Sequence, residues 1–237
     1  GLFKKALIGA RWLLFKTGLG RSNHFESCAF IRSKAGVQWP DIQYHFLPGA
    51  ITYDGTVAFK GHGFQVHVGH NKPTSRGHVR VTSKDIKKHP DILFNYLETE
   101  KDKQGFRDCV RLTREIMSQT AMNQYRGEVI QPKDDVQDND QIDAFVRDAV
   151  DSAYHPSCSC KMGVDPMSVV DPDLKVHGLS RLRIVDSSVF PTIPNGNLNA
   201  PTMMLAERGA DIIKGSSIQS KHRASVYINK HWQTSQK

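Results

Sequence analysis

Two segments of the 237-residue chain carry the residue types that proton-transfer chemistry needs. In residues 154–163, His155 follows Tyr154 and precedes a run of small residues that ends at Gly163. Residues 195–204 offer three asparagines and Thr202 ahead of an apolar helix. Because a neutral imidazole has a pKa near working pH, it can take a proton from an alcohol. The two segments together predict an imidazole and a carboxamide at the mouth of one pocket, with polar backbone groups directed at a bound cofactor.

The elements that position these segments follow from the spacing of apolar residues. Helical spacing predicts helices over residues 2–15, 104–120, 140–152 and 201–214. The last of these has Pro201 in its first turn and Gly215 just past its end, as helices commonly do. Short apolar runs between glycines and prolines predict strands over residues 28–31, 42–47, 64–68, 78–82 and 182–185. Several runs alternate apolar and polar residues, which favours antiparallel pairing with one wet face.

The composition excludes some classes of protein. The net charge is +8, but the basic residues are scattered and no arginine-rich run interleaves with aromatics, so nucleic-acid binding is not expected. Four cysteines without a CxxC pair favour a reducing compartment. His155, Cys158 and Cys160 have poor ligand spacing for zinc, so we expect no metal site. No apolar run reaches the length of a membrane span.

The order of the motifs resembles the glucose-methanol-choline (GMC) family of flavin-dependent alcohol oxidoreductases. The resemblance covers residues 1 to 215 and is strongest to the choline-oxidising members of the family. The matching stretches are residues 18–20, 23–26, 40–43, 73–77, 95–97, 154–163, 170–172, 176–179, 182–188, 196–202 and 206–213.

The resemblance implies an α+β (α/β) fold in two parts. Residues 1–154 are expected to form a substrate-binding domain, with an antiparallel sheet flanked by helices. Residues 155–215 are expected to be the C-terminal returning segment of a Rossmann-like FAD-binding domain. The chain starts at Gly1 and lacks the GxGxxG fingerprint, which predicts a C-terminal portion of a longer enzyme that is inactive alone. Residues 216–237 are polar and aperiodic and are expected to be a disordered tail.

The resemblance also assigns roles to residues of the two segments. His155 is expected to be the catalytic base. Asn199 lies where the family has a histidine or an asparagine, and its carboxamide would donate to the substrate oxygen; the alternative is a helix N-terminal cap. Tyr154 would line the substrate pocket and meet a quaternary ammonium through its ring; the alternative is core packing.

The flavin contacts form a separate group of expected residues. Those that the resemblance places against FAD are Asp186, Ser187, Asn197, Asn199 and Thr202. Asp186 follows a predicted strand, so an ordinary turn residue is the alternative interpretation.

The implied function is FAD-dependent oxidation of a primary alcohol, with choline converted to betaine aldehyde, a step of glycine betaine synthesis. His155 would remove the hydroxyl proton, a hydride would pass to flavin N5, and electrons would continue to a respiratory acceptor such as a quinone. The same resemblance suggests a mitochondrial location, with peripheral association with the matrix side of the inner membrane. The alternatives are a related alcohol dehydrogenase or oxidase with another substrate, and a non-catalytic truncated product.

Overall fold

A computed structural model describes residues 2–23, 25–50, 61–216 and 224–236. Of the stretches considered above, Gly1, His24 and residues 217–223 and 237 lie outside the described residues. The helices are α1 (Leu2–Phe15), α2 (Glu100–Ser118), α3 (Asn139–Ala149) and α4 (Asn199–Lys214). The strands are β1 (Ser27–Ile31), β2 (Ile42–Leu47), β3 (Gln65–His70), β4 (His78–Arg80) and β5 (Asp91–Leu93). Short 3₁₀ turns lie at Leu19–Arg21, Thr120–Met122 and Ser187–Val189.

Strands β1, β2 and β3 form an antiparallel sheet with β2 in the centre. Because side chains alternate along a strand, one face of β2 carries Ile42 and Tyr44 while the other carries Gln43 and His45. Ile42 and Tyr44 are buried with Cys109 of α2 in one core cluster. Burial raises the pKa of the Cys109 thiol to about 12, so it behaves as an apolar group. With α2 on the first face, the polar face of β2 is free to meet the rest of the chain.

Helix α2 is held at its start by a buried carboxylate. Thr99 caps the helix by accepting a hydrogen bond from the backbone N–H of Asp102. Asp102 is 2% exposed, and its carboxylate accepts from the backbone N–H groups of Thr74 and Ser75, each at 2.7 Å, and from both hydroxyls. Burial alone would raise the pKa of Asp102, but these bonds outweigh it and lower the pKa to about 2.

Helices α2 and α3 are joined by a charged pair above an apolar contact. Arg107 donates to both carboxylate oxygens of Asp143, with 2.7 Å between Nε and Oδ1, and also to Glu100. The bond to Asp143 raises the pKa of Arg107 above its ordinary value. Beneath the pair, Val110 packs against Ile142 and other side chains of α3. The two helices are thereby fixed against each other behind the sheet.

The C-terminal part of the chain has a core of its own. Val170, Leu174, Val189 and Leu205 are buried together. Helix α4 approaches this core closely at Gly209, where a Cβ would lie 2.4 Å from a methyl carbon of Val185. A glycine is therefore required at this position for α4 to pack as it does.

The structure confirms the antiparallel sheet flanked by helices and all four predicted helices, to within four residues at each end. The predicted strand over residues 182–185 is wrong. Among the described residues, this stretch is paired by a single bridge, between Lys175 and Arg183. The segment opposite it, residues 174–176, is an irregular turn and not a strand. Strand β5, at three residues, was missed because it is too short to show an alternation.

Part of the segment expected to be a disordered tail makes specific contacts. Arg32, 9% exposed, donates through Nε to the backbone oxygen of Gln236 at 3.0 Å. The side chain of Gln236 donates in return to the backbone oxygen of Arg32 at 2.7 Å. The backbone N–H of Gly36 donates to the oxygen of Trp232 at 2.8 Å. These bonds fasten residues 232–236 to the turn between β1 and β2, so this stretch differs from the expectation.

We expect Asp102→Asn to lower the free energy of unfolding by about 2 kcal/mol at neutral pH. The fold lowers the pKa of Asp102 from 3.8 to about 2, and a pKa difference of one between the folded and unfolded states corresponds to about 1.4 kcal/mol. The carboxylate stabilises the fold above its unfolded pKa of about 4 and loses this effect as the pH falls through about 2. Urea unfolding at pH about 7 and about 2.5 measures the difference.

Asp148→Asn is the matched control, since Asp148 is exposed on α3. The control should unfold like the wild type at both pH values. Equal stabilities of Asp102→Asn and wild type at neutral pH would contradict this account of the start of α2.

Candidate active site

His155 lies on an irregular segment that is joined by backbone hydrogen bonds to the turn at residues 187–189. The backbone N–H groups of Cys158, Cys160 and Met162 donate to the oxygens of Ser187, Ser188 and Val189, at 3.3, 2.9 and 2.8 Å. The Ser187 hydroxyl donates to the oxygen of Pro156, next to the histidine, at 3.2 Å. The imidazole itself is half-buried. This ladder gives His155 a defined place although no helix or strand carries it.

Asn197 connects His155 to the central strand of the sheet. Its Nδ2 lies 2.8 Å from Nε2 of His155, and its Oδ1 accepts from Nε2 of Gln43 at 2.9 Å. Gln43 is 9% exposed, and a buried amide of this kind requires partners. The three side chains form a hydrogen-bonded chain from the polar face of β2 to the imidazole.

The order of donors in this chain selects a tautomer of His155. Because Gln43 donates to Oδ1 of Asn197, the Nδ2 donor of Asn197 points at the histidine. Nε2 of His155 is then the acceptor, and the ring proton of the neutral form lies on Nδ1. The ring nitrogen with the lone pair is therefore the one held by the carboxamide. An alcohol that approaches Nε2 would take the place of this amide N–H and meet the same carboxamide.

A glycine turn places Asn197 in this position. Gly196 has a φ of 82°, in the left-handed region that favours glycine. A Cβ here would lie 3.2 Å from the ring of Phe30, which belongs to the same face of the sheet as Gln43. The turn thus passes close to the sheet and delivers the carboxamide between Gln43 and His155.

The polar face of the sheet contributes two histidines that sequence reasoning missed. His45 on β2 lies directly opposite His67 on β3, and both are half-buried. Burial lowers the pKa of His45, and the nearby His155 lowers it further. Burial likewise lowers the pKa of His67, with a further contribution from His45. The alternation within β2 and β3 was a usable signal, because it places His45 on the face of Gln43 and His67 on the face of Gln65.

The expected flavin contacts lie around the start of α4 and the turn before it. Asn199 is the first residue of α4 and is exposed, and Thr202 is in its first turn. The N-cap residue is Leu198, without a side-chain cap, so the alternative in which Asn199 is the cap is wrong. Asp186 accepts from the backbone N–H of Ser188 at 2.8 Å, so it is a turn residue whatever else it contacts. The structure brings Asn197 and His155 together, while Asn199 lies two residues further on, at the start of α4.

Tyr154 precedes the histidine with its ring in solvent. Tyr154 is 69% exposed, so it does not belong to the core clusters of the part of the chain that the structure describes. A φ of 56° turns its backbone into the left-handed region, and its N–H donates to the Ser152 hydroxyl at 3.0 Å.

The donors at this end of the molecule fit a flavin. The first-turn backbone N–H groups of Asn199 and Ala200 have no earlier helical carbonyl to bond, and the positive end of α4 suits carbonyl or anionic oxygens. Exposed Met203 and Met204 offer apolar surface beside them. Polar hydrogen-bond donors next to an apolar face are what an isoalloxazine ring requires.

A family model described as GMC oxidoreductase matches residues 73–206, more than half of the chain. The chain belongs to the GMC oxidoreductase family. GMC oxidoreductases are FAD-dependent, so the family and the cofactor expected from the motifs are confirmed.

Similar GMC oxidoreductases include three bacterial proteins, each named an oxygen-dependent choline dehydrogenase. The protein of Photobacterium profundum is 60% identical over 100% of this chain and 42% of its own length. Those of Vibrio vulnificus and Brucella ovis are 59% and 54% identical over 99% of this chain, and 42% and 43% of theirs. The chain thus spans less than half the length of the curated relatives that it matches.

Solved structures of GMC oxidoreductases share this fold. A pyridoxine 4-oxidase from Mesorbium loti superposes with a TM-score of 0.75 at 26% identity, over 84% of this chain and 39% of its own. An FAD-dependent oxidoreductase from Chaetomium thermophilum gives 0.64 at 28% identity, over 75% and 28%. A variant of formate oxidase from Aspergillus oryzae RIB40 gives 0.72 at 20% identity, over 90% and 42%, which supports the fold alone.

The expected mitochondrial location is wrong. The relatives named above are proteins of Photobacterium, Vibrio and Brucella, which are bacteria and have no mitochondria. The expectation came from the family resemblance and not from a targeting segment, and association with a mitochondrial inner membrane is withdrawn with it. Among the residues that the structure describes, no helix has the length and apolar character of a membrane span.

We expect Gly196→Ala to reduce alcohol turnover about tenfold in the flavin-loaded enzyme that contains this chain, because the new methyl group would lie 3.2 Å from the ring of Phe30 and a tenfold loss corresponds to about 1.4 kcal/mol of lost positioning. Relief of this contact moves Asn197 away from His155. Steady-state turnover and flavin content are the measurements.

Gly178→Ala is the matched control, since Gly178 has a φ of 74° and nothing within 4 Å of its added Cβ. The control carries the same backbone strain but should retain its turnover. Equal losses in both variants would mean that the close approach of Gly196 to Phe30 does not position Asn197.

Proposed function

We propose that the enzyme containing this chain oxidises choline to betaine aldehyde, with His155 as the base that takes the hydroxyl proton. The observation that carries the proposal is the Gln43–Asn197–His155 chain of hydrogen bonds, which presents one oriented imidazole at the edge of the sheet. The names of relatives 54–60% identical to this chain support the substrate. Bound FAD supplies the acceptor for the hydride that leaves the same carbon.

The imidazole has the properties that a base for an alcohol needs. Neutral histidine accepts a proton near neutral pH, and a well-placed base contributes about 10²–10⁴ in rate. Nε2 of His155 is 2.8 Å from its amide partner, so an alcohol oxygen in the place of that amide nitrogen is within reach of proton transfer. The displaced carboxamide of Asn197 stays beside this position through its bond to Gln43 and can donate to the substrate oxygen as negative charge develops there.

The surroundings of His155 suit a substrate with the charge of choline. The substrate is a cation, so it requires a site without a positive charge. His45 and His67 have lowered pKa values through burial and remain neutral at physiological pH. The exposed ring of Tyr154, adjacent to the base, can meet a quaternary ammonium group through cation–π attraction. Asn199 at the start of α4 stays our candidate for a second donor to the substrate oxygen.

A boundary near residue 154 between a substrate-binding part and a flavin-binding part belongs to the same proposal. The core around Val170 and Leu205 has its buried members between residues 170 and 205, whereas the other clusters have theirs between residues 42 and 146. On this division, residues 155–215 supply the side chains that meet the flavin, namely His155, Asp186, Asn197 and Thr202. Asp186 and Ser187 lie on the turn that also holds the segment of His155.

The proposal also concerns the acceptor that takes the electrons from the reduced flavin. A respiratory quinone is the acceptor that the motifs led us to expect, whereas the relatives carry "oxygen-dependent" in their names. Choline turnover measured with oxygen and with a soluble quinone, under otherwise identical conditions, distinguishes the two. A rate with quinone above the rate with oxygen supports the respiratory acceptor, and the reverse result contradicts it.

We expect His155→Ala to lower choline turnover in the flavin-loaded enzyme about 100-fold or more, because it removes the base while leaving the backbone ladder at residues 158–162 intact. FAD should remain bound at the wild-type ratio. Stopped-flow measurement of flavin reduction by choline reports the affected step directly.

His89→Ala is the matched control, because His89 is exposed on the segment between β4 and β5. The control should reduce flavin at the wild-type rate. Unchanged reduction in His155→Ala would remove this histidine from the mechanism. Failure of the wild type to oxidise choline, with oxidation of another alcohol, would favour a different substrate within the family.

A further inference from the structure

A pair of histidines lies on the face of the sheet that meets His155, and the proposed proton transfer uses neither of them. His45 and His67 are directly opposite partners in the antiparallel pairing of β2 and β3. Side chains at such positions have Cβ atoms about 4.5–5.5 Å apart and contact each other. The edge of the Phe25 ring packs on His45, with 5.6 Å between the ring centroids. His45 is therefore enclosed by an aromatic ring on one side and by His67 on the other.

His67 is itself held in place along its own strand. Nε2 of His67 lies 2.6 Å from Nε2 of Gln65, the residue two positions earlier on the same face. With the amide as donor, Nε2 of His67 accepts and its ring is a neutral Nδ1–H tautomer. A ring fixed in this way is a rigid neighbour for His45.

The proton balance of the cluster follows from its burial. Burial is the main reason that the pKa values of His45 and His67 are lowered, and the neighbouring imidazole adds to the effect in each case. Among the residues that the structure describes, the titratable groups on the side of His45 are His67 on β3, Cys28 opposite it on β1 with Glu26 two residues earlier, and His155 on the C-terminal segment. With His45 itself, the cluster holds three imidazoles, so a proton on one disfavours a proton on the next.

We propose that His67 is a positioning residue for the active site: it packs across the sheet against His45, excludes water from that ring, and so keeps the imidazole next to His155 uncharged. The inference rests on the proposed function, because its consequence concerns a cationic alcohol. A protonated His45 would repel a quaternary ammonium group and would also disfavour proton transfer to His155. His67 thereby contributes to the selection of a cationic substrate without touching it.

The test uses the flavin-loaded enzyme and compares His67→Ala with His67→Gln. Choline and 3,3-dimethylbutan-1-ol are the two substrates, because they have the same shape and only the first is charged. The parameters kcat and KM are measured for both alcohols from about pH 5 to about pH 8, the range over which histidine changes its charge. Flavin content confirms that each variant is folded.

We expect His67→Ala to admit water beside His45 and to move the acidic limb of kcat/KM for choline upward by about half to one pH unit. Near pH 6, KM for choline should rise about fivefold, as a Coulomb repulsion of about 1 kcal/mol gives, while KM of the uncharged alcohol changes less than twofold. His67→Gln fills the same space and can bond Gln65, so it should restore the wild-type profile.

Three results would overturn the role of His67. One is an acidic limb that coincides in His67→Ala and wild type; another is an equal rise of KM for both alcohols, which indicates a packing defect. The third is a His67→Gln variant as impaired as His67→Ala. If His67→Ala loses its flavin, His67→Thr replaces it, since a β-branched residue suits a strand.

The outcome for His67 is separable from the outcome for the proposed substrate. If the wild-type enzyme oxidises only uncharged alcohols, the choline proposal fails. The position of the acidic limb with such an alcohol still decides whether His67 keeps His45 neutral.

Discussion

The hydrogen bond from Gln43 to Asn197 joins the two halves of this molecule at the place where chemistry can occur. It connects residues 154 positions apart in the sequence, one in the centre of a sheet and one in a glycine turn. Because Gln43 is buried, its amide must find a partner, and Asn197 is the partner that the fold supplies. The orientation of His155 depends on this bond, since the same carboxamide holds the imidazole.

The sheet can present Gln43 in this way because its opposite face packs against α2 at Ile42 and Tyr44. Helix α2 covers Ile42 and Tyr44, and its own position is secured by Asp102 at its start and by Arg107 against α3. With that face buried, a shift of one residue in the register of β2 would turn every polar side chain into the core. The burial of an apolar face thus determines which polar residues reach the candidate active site.

Local patterns in the sequence were sufficient for the helices and for most of the sheet. Helical periodicity located α2 and α3 because each buries a continuous apolar stripe, and the alternation in β3 indicated its pairing. A strand was wrongly predicted over residues 182–185, because apolar side chains can also enter a core from irregular backbone, as Val185 does against Gly209. The two segments were expected to meet, but the bond of Asn197, and not Asn199, to His155 could not be predicted, because it depends on how the turn before α4 packs on the distant sheet. His45 and His67 were missed because their shared face becomes meaningful only when the strand register is known.

The central claim is that the alcohol oxygen lies against His155 in place of the amide of Asn197. A crystal structure of the flavin-loaded enzyme with glycine betaine, whose carboxylate replaces the CH₂OH group of choline, tests this claim most directly. The account predicts a carboxylate oxygen about 3 Å from Nε2 of His155, with Asn197 still bonded to Gln43. A carboxylate held elsewhere, with Asn197 still closing off Nε2 of His155, would contradict it.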